Sequence, residues 1–254
     1  SGEGLGLIFR GITYPVVKKI NPEIIFDVGA NIGAASAFFS MNYPKAQIYS
    51  FEPTIMNFSL LSKNMKNFDN VRIYNKGAHE HRKIEKIYLD NEIGGRNSIH
   101  KSWTKTNHYE EVELINLADF LKSELIKKID ILKIDTEGCE VPILKTLIDF
   151  YQSLSVVYVE YHSGNDKIDI LRLLNHSHFV FADRVRGRSE ALLNRKLIGK
   201  KYFGRVNKSE KLVCKRGEII TSEILEKLFS IGTQRVKIIE EGLGEMILVN
   251  KDIC

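Results

Sequence analysis

Seven consecutive residues, Asp27-Val28-Gly29-Ala30-Asn31-Ile32-Gly33, carry the sharpest chemical signal in the chain. They stand where a short apolar run gives way to a small-residue helical stretch. Glycines at such a handover allow a tight turn and let a ligand approach bare backbone. The helix start beyond them offers free N–H groups. Glu52, in Phe51-Glu52-Pro53, follows 19 residues after Gly33 and ends a second apolar run. A carboxylate there can accept both hydroxyls of a ribose.

The glycine spacing narrows the nucleotide. A dinucleotide site wants glycine at 29, 31 and 34, and the chain has Gly29, Asn31 and Ala34. No glycine at 31 makes room for a pyrophosphate, which disfavours a nicotinamide dehydrogenase. An acid two residues before Gly29, with Gly33 four after it, suits S-adenosylmethionine: Asp27 can face the ammonium, and there is no diphosphate to cradle. A plain helix-start turn with packing glycines would also account for the seven residues taken alone.

A third group is Asp130-Ile131-Leu132-Lys133-Ile134-Asp135-Thr136-Glu137-Gly138-Cys139-Glu140. It closes another apolar run, so Asp135 to Glu140 should share the rim where Gly29 and Glu52 lie. Three carboxylates this close repel one another unless a cation or hydrogen-bond donors face them. Helix capping explains Glu140 well; Asp135 and Glu137 read better as functional. His162 ends the next apolar run beside them, and a histidine's ordinary pKa of about 6.5 suits a general base. A strand-end histidine bonded to backbone is the competing reading. Asp135 and Glu160 could instead share a divalent ion such as Mg²⁺ or Mn²⁺, a reading that is weighed but not favoured. In the polar loop before 111–115, Asn97 and Ser98 could touch the acceptor or the cofactor, although a plain hairpin turn would serve equally.

These residues need a scaffold. Runs at Ile24–Val28, Gln47–Phe51, 71–75, 129–134 and Val156–Tyr161 read as strands. Helical patterns at 32–41, Ile55–Met65 and 141–150 lie between them, with Pro142 tolerable in a first turn. Alternation of this kind predicts an α/β fold with a parallel sheet covered on both faces. Two further strands, 84–89 and 111–115, interrupt it. A strand at 178–182 precedes an insertion-like stretch, 184–244, and 245–250 reads as a closing edge strand. The expected organisation is one domain over 1–254, with a lead-in at 1–23, a core at 24–183, the insertion, and the closing strand.

Composition sets the bounds. The 254 residues are 43% hydrophobic and 27% charged, as in an ordinary globular chain. No apolar run reaches the ~20 residues of a spanning helix. The apolar stretch 5–17 is broken by Arg10 and does not read as a signal peptide. Cys139, Cys214 and Cys254 are too scattered for a disulfide framework or a metal finger, which favours a reducing, cytoplasmic setting. The net charge of +5 is unevenly spread: residues 184–216 hold 12 Lys+Arg against two acids, net +10, leaving the remainder at −5. A basic segment can be a solvated face. It can also cover the acceptor site and draw in an anionic acceptor, with Arg184 and Arg186 as candidate contacts.

Four motifs in order, 27–33, 51–53, 132–140 and Val159-Glu160-Tyr161-His162, resemble the FkbM-type methyltransferases, a branch of the class I S-adenosylmethionine-dependent enzymes. The resemblance covers roughly 24–182. It implies a Rossmann-like, seven-stranded, mostly parallel sheet in the order 3-2-1-4-5-7-6, here with a basic insertion before the last strand. It also implies O-methylation of small molecules, often sugars of glycoconjugates. Carried over by residue, it sets Gly29, Ala30, Asn31 and Gly33 with Asp27 against the methionine part of the cofactor, and Glu52 on the ribose. Gly77 and Ala78 would flank the adenine, and Asp135 would lie near the sulfonium. The expected function is therefore methylation of a sugar or glycoconjugate hydroxyl, on an anionic or nucleotide-linked acceptor. RNA is an alternative acceptor, supported by the basic charge with Tyr202 and Phe203 interleaved, but no Asp/Asn-Pro-Pro-Tyr/Phe motif or RNA-binding module accompanies it. Another small-molecule acceptor, or cofactor binding without catalysis, completes the alternatives.

Overall fold

Three runs, Ile24–Val28 (β1), Gln47–Phe51 (β2) and Val71–Tyr74 (β3), lie side by side and parallel. The computed structural model describes residues 2–89, 97–101, 107–192, 201–202, 220–230 and 235–253; of 2–3, 184–192, 201–202, 229 and 235–243 it describes the backbone alone. Gly77–Ala78 (β4), Lys83–Tyr88 (β5) and Tyr109–Ile115 (β6) form a separate small sheet in the order β4-β6-β5. Ile131–Ile134 (β7) pairs parallel with both β1 and Val156–Tyr161 (β8). His178–Leu192 (β9), Lys201–Tyr202 (β10) and Arg235–Asn250 (β11) follow. The main sheet runs β3-β2-β1-β7-β8-β11, with β9 also on β11. Counted by principal strands this is 3-2-1-4-5-7-6, the Rossmann-like order the resemblance implies.

The central strands are buried on both faces, and alternate side chains feed two cores. Phe26, Val28, Leu132, Ile134, Val157 and Val159 pack on one side. Helices Leu117–Ser123 (α4), Glu140–Thr146 (α5) and Gly164–Leu174 (α6) cover that face, through Leu121, Ile143, Leu144 and Leu174 among others. Ile25, Ile48, Ile131, Val156 and Tyr158 pack on the other side, against Phe38 and Phe39 of Ala34–Asn42 (α2). Helix α3, Ile55–Met65, seats Leu61 and Met65 against Ala30 and Ala37. Asn116 caps α4, accepting from Ala118 N at 2.9 Å, and Ser163 caps α6, accepting from Asp166 N at 3.0 Å. A first helix, Gly2–Phe9 (α1), precedes them all.

Register delivers the chemistry. Val28 stands opposite Phe51 on one side and Ile134 on the other, and Ile134 stands opposite Val159. The next residues, Gly29, Glu52, Asp135 and Glu160, therefore leave the sheet at one level, at its carboxyl rim. Hydrogen bonds across the rim fix this: Gly29 N and Ala30 N donate to Phe51 O at 3.0 and 2.9 Å, and Asp135 N to Val28 O at 3.0 Å.

The chain divides into two units, Ser1–Asp183 with Met246–Cys254, and Arg184–Glu245. In the second, β10 runs antiparallel to β11, with Lys201 opposite Ile239 and Tyr202 opposite Ile238. Its helix Ser222–Ser230 (α7) buries Leu225 and Leu228 and carries a Glu223–Lys227 pair at 2.6 Å. The strands expected at 178–182 and 245–250 are longer than their apolar runs, reaching Leu192 and starting at Arg235. Charges at Arg184, Arg186 and Arg188 hide the continuing period of two. The helix expected over 141–150 ends at Thr146, with a 3-10 turn at Ile148–Phe150. No helix among the described residues is long and apolar enough to cross a membrane.

Candidate active site

The loop after β1 is held in a shape that few residues adopt. Gly29, Asn31 and Gly33 have φ of 80°, 52° and 91°, in the left-handed region that favours glycine. A Cβ on Gly29 would stand 1.8 Å from Asp135 O. The neighbouring strand's backbone thus dictates glycine there. Glu52 grips the loop from the next strand: its Oε2 accepts from Asn31 N at 2.9 Å. Its Oε1 accepts from Thr54 N at 3.1 Å, Thr54 Oγ1 at 2.6 Å and Asn57 Nδ2 at 3.4 Å. Burial nevertheless pushes the Glu52 carboxyl above the usual range, against those donors.

A cavity opens over this rim. Its polar side is Gly29, Asn31, Glu52, Asp135, Thr136 and Glu137, and Asn97 also borders it. Its apolar side comes from Pro53 and the small sheet, with Gly77, Ala78, Ile87 and Leu114. Gly77 is needed for closeness, since a Cβ would meet Leu114 Cδ2 at 2.4 Å. Three carboxylates face this space, and no Lys or Arg lines it among the described residues.

The turn 135–140 is built around Glu140. That side chain is buried; its Oε1 accepts from Thr136 N at 2.9 Å and Thr136 Oγ1 at 3.0 Å, and its Oε2 from Gly138 N at 3.1 Å. Glu137 then takes φ of 54°, and Ser98 Oγ donates to its carbonyl at 2.7 Å. His162 lies behind the turn with its side chain 5% exposed, Nε2 at 3.1 Å from Glu137 Oε2 and Nδ1 at 3.5 Å from Glu140 Oε2. Burial would lower its pKa, but the two carboxylates outweigh burial and push it up to about 11. The same ring, with the turn amides, holds Glu140 below the usual carboxylate range despite burial. Burial pushes the neighbouring Cys139 thiol up to about 12, so it is neutral.

Sequence and structure differ at several of these residues. His162 lies outside the cavity lining, and the two carboxylates hold its pKa above the ordinary value, unlike the expected free base. Asp27, expected to face the cofactor's ammonium, is fully buried and also outside the lining. Its carboxylate is taken by Lys133 Nζ at 3.1 Å and Ser36 Oγ at 2.6 Å. Ala30 and Gly33 shape the loop from beneath, packed against α3, and do not border the cavity. Ser98, expected to touch acceptor, is 1% exposed and spends its hydroxyl on Glu137. Gly29, Asn31, Glu52, Gly77, Ala78, Asn97, Asp135 and Glu137 do converge on the cavity. Glu160 lies beside Asp135 in register, but no group of three or more His, Cys, Asp or Glu that could hold a metal ion occurs among the described residues. Arg184 and Arg186 belong to β9, and their side chains lie outside the described residues, as does the loop 90–96.

Lys133 is the residue that sequence reading missed. Only 3% exposed, it donates to Gly29 O at 2.6 Å as well as pairing with Asp27, and stands 3.9 Å from Asp135. It ties the loop, the buried acid and the rim carboxylate together. The available signal was a lone lysine inside a fully buried apolar strand, which demands a partner.

The sequence model of the family described as "Methyltransferase FkbM domain" matches residues 27–186. Hexuronic acid methyltransferase AglP of Haloferax volcanii is 27% identical over 155 residues, 61% of this chain and 62% of that protein. The match therefore spans less than two thirds of that relative's length. Methyltransferase 1 of Beauveria bassiana is 26% identical over 198 residues, 69% of this chain and 79% of that one. Among solved structures, fibrillarin of Aeropyrum pernix with natively bound S-adenosyl-L-methionine superposes with a TM-score of 0.45 at 10% identity, covering 98% of this chain and 74% of that one.

Proposed function

The chain belongs to the FkbM methyltransferase family, and from that premise we propose that it moves a methyl group from S-adenosylmethionine to a hydroxyl oxygen of an anionic sugar or glycoconjugate. The observation that carries the donor assignment is the charge of the cavity. Glu52, Asp135 and Glu137 line it without a Lys or Arg among the described residues. Such a wall suits a ligand bearing a sulfonium and an ammonium, and it repels a polyphosphate. Gly29 leaves bare backbone for the donor, Glu52 can accept from its ribose hydroxyls, and Pro53, Gly77, Ala78 and Leu114 offer an apolar slot for its base. When bound, the donor supplies a methyl carbon already activated by the sulfonium. The protein must align the acceptor oxygen with that carbon to within about 3 to 3.5 Å and remove its proton.

The acceptor reading rests on two supports. AglP, by its name, methylates a hexuronic acid, and the segment 184–216 carries net +10. A basic segment raises the local concentration of an anionic acceptor. Neutralising Arg184, Arg186 and Arg188 together should raise the acceptor KM and flatten its salt dependence, measured from 50 to 300 mM salt. An unchanged KM would remove the segment from acceptor capture. Reducing, cytoplasmic surroundings suit the scattered cysteines.

The test is calorimetric titration with the donor and its demethylated product, followed by a labelled-methyl screen of uronic acids, nucleotide sugars, neutral oligosaccharides and RNA. Transfer to RNA alone would replace this reading. Glu52→Gln should weaken donor affinity about tenfold or more, because an amide cannot accept two ribose hydroxyls on both atoms. The pH dependence has a definite sign. Burial raises the Glu52 pKa, so wild-type donor affinity should begin to fall at a pH above the ordinary carboxyl value of about 4.3. That fall should be smaller in Glu52→Gln.

A further inference from the structure

We propose that Glu137 takes the proton of the acceptor hydroxyl, and that His162, buried behind it between two carboxylates, is the residue that positions it. The proposal rests on the methyl-transfer reading and deepens it. Of Glu137, Glu140 and His162, only Glu137 lines the cavity. Glu140 spends its oxygens on Thr136 and Gly138 inside the turn. Both ring nitrogens of His162 face carboxylates, at 3.1 and 3.5 Å. The ring can reach an acceptor only through Glu137.

The backbone points the same way. Glu137 sits at φ of 54°, a conformation that costs a residue with a side chain free energy and persists where the surroundings enforce it. Two contacts and the neighbouring backbone enforce it here. Ser98 Oγ holds the carbonyl, Gly138 follows at φ of 118°, and Glu140 binds the amide on the far side of the turn. The result is a carboxylate turned to the cavity and held from behind by the ring, with its side chain 23% exposed.

Charge balance assigns the roles. Among the described residues, the carboxylates within 3.5 Å of the His162 ring are Glu137 from the turn and Glu140 from α5. One imidazolium between two carboxylates leaves one negative charge, and Glu137 is the member that shows it to the cavity. The step balances. The hydroxyl proton passes to a Glu137 oxygen as the acceptor oxygen forms its bond to the methyl carbon. The carbon–sulfur bond breaks with its electron pair left on sulfur. Glu137 then returns the proton to water when product leaves.

The experiment compares the wild-type chain with Glu137→Gln and His162→Gln. It reads donor affinity by calorimetry, kcat and acceptor KM, and the titration of the His162 ring by nitrogen NMR. Glu137→Gln should lower kcat about 100-fold or more when measured at saturating donor. His162→Gln should lower kcat less, and the wild-type ring should stay doubly protonated at pH 8. Glu137→Gln should move that ring titration to lower pH, because the ring then faces one carboxylate in place of two. A Glu137→Gln protein that binds donor and turns over within about threefold of wild type overturns the proposal. So does a wild-type ring that is neutral at pH 8. The ring titration needs neither donor nor acceptor, so it decides the pair even if His162→Gln does not fold. Failure of the wild-type chain to bind donor would instead strike the methyl-transfer reading.

Discussion

Gly29→Ala should unfold the rim: a loss of stability of about 3 kcal/mol or more, and no measurable donor binding. Two costs add at this position. The left-handed φ of 80° costs a residue with a Cβ about 1–2 kcal/mol. The Cβ would then stand 1.8 Å from Asp135 O and 2.8 Å from Asp135 C. Both are backbone atoms, so no rotamer change relieves the overlap, and overpacking of this kind costs about 1–3 kcal/mol. Asp135 cannot retreat cheaply, because its N–H donates to Val28 O at 3.0 Å, within the β1–β7 pairing. Relaxation must therefore open the carboxyl rim, where the donor is proposed to bind. The control is Gly6→Ala in α1, where a Cβ meets nothing within 4 Å and alanine favours the helix. Thermal unfolding and calorimetry on both variants are the check. A Gly29→Ala protein that melts within about 2 °C of wild type would show that the crossing of β1 and β7 tolerates a side chain, since 1 kcal/mol moves a chain of this size by about 2–4 °C.

That constraint was half legible in the sequence. Gly29, Glu52 and Asp135 each end an apolar run, and the rule that ligands sit beyond the carboxyl ends of parallel strands gathers them on one rim. What the sequence could not supply is who stands next to whom when the partners are far apart in the chain. Lys133 and Asp27 are more than 100 residues apart, so the acid reads as a cofactor ligand until β1 and β7 are known to be neighbours. Ser98 and Glu137 are 39 residues apart, and a serine beside a glycine-bearing loop looks free until it is found bonded to a carbonyl of another turn. His162 follows the carboxyl end of β8, but its charge depends on Glu137 and Glu140 closing around it. Pattern reading also passed over α4 and α6, whose polar faces dilute short apolar stripes. The small sheet was only half seen, because β4 is two residues long.

Lys133→Met should be the most damaging substitution that leaves the backbone unstrained. Asp27 has no exposed surface, and besides Lys133 its carboxylate has Ser36 Oγ, itself 2.8 Å from Ser50 Oγ. Removing the cation leaves a buried charge with a hydroxyl for company, a loss of about 3–5 kcal/mol. The loop suffers too, because Gly29 O loses its 2.6 Å bond from the ammonium. Asp27→Asn added to Lys133→Met should recover most of the stability, since it removes the stranded charge, but not the donor affinity, since nothing restores the hold on Gly29. A double variant no more stable than the single one would mean that the pair contributes packing rather than charge. The pH dependence separates the two further. Burial alone would lower the Lys133 pKa, but Asp27, with Asp135 and Tyr14, carries it above its ordinary value. The folded protein therefore binds this proton more tightly than the unfolded chain does. Its contribution is complete below the ordinary lysine pKa of about 10.4 and is lost only as pH rises through the folded value. Denaturant unfolding should thus give a constant difference between wild type and Lys133→Met from pH 7 to 9, narrowing above pH ~10.4. A difference that narrows already between pH 7 and 9 would place the proton elsewhere in the cluster.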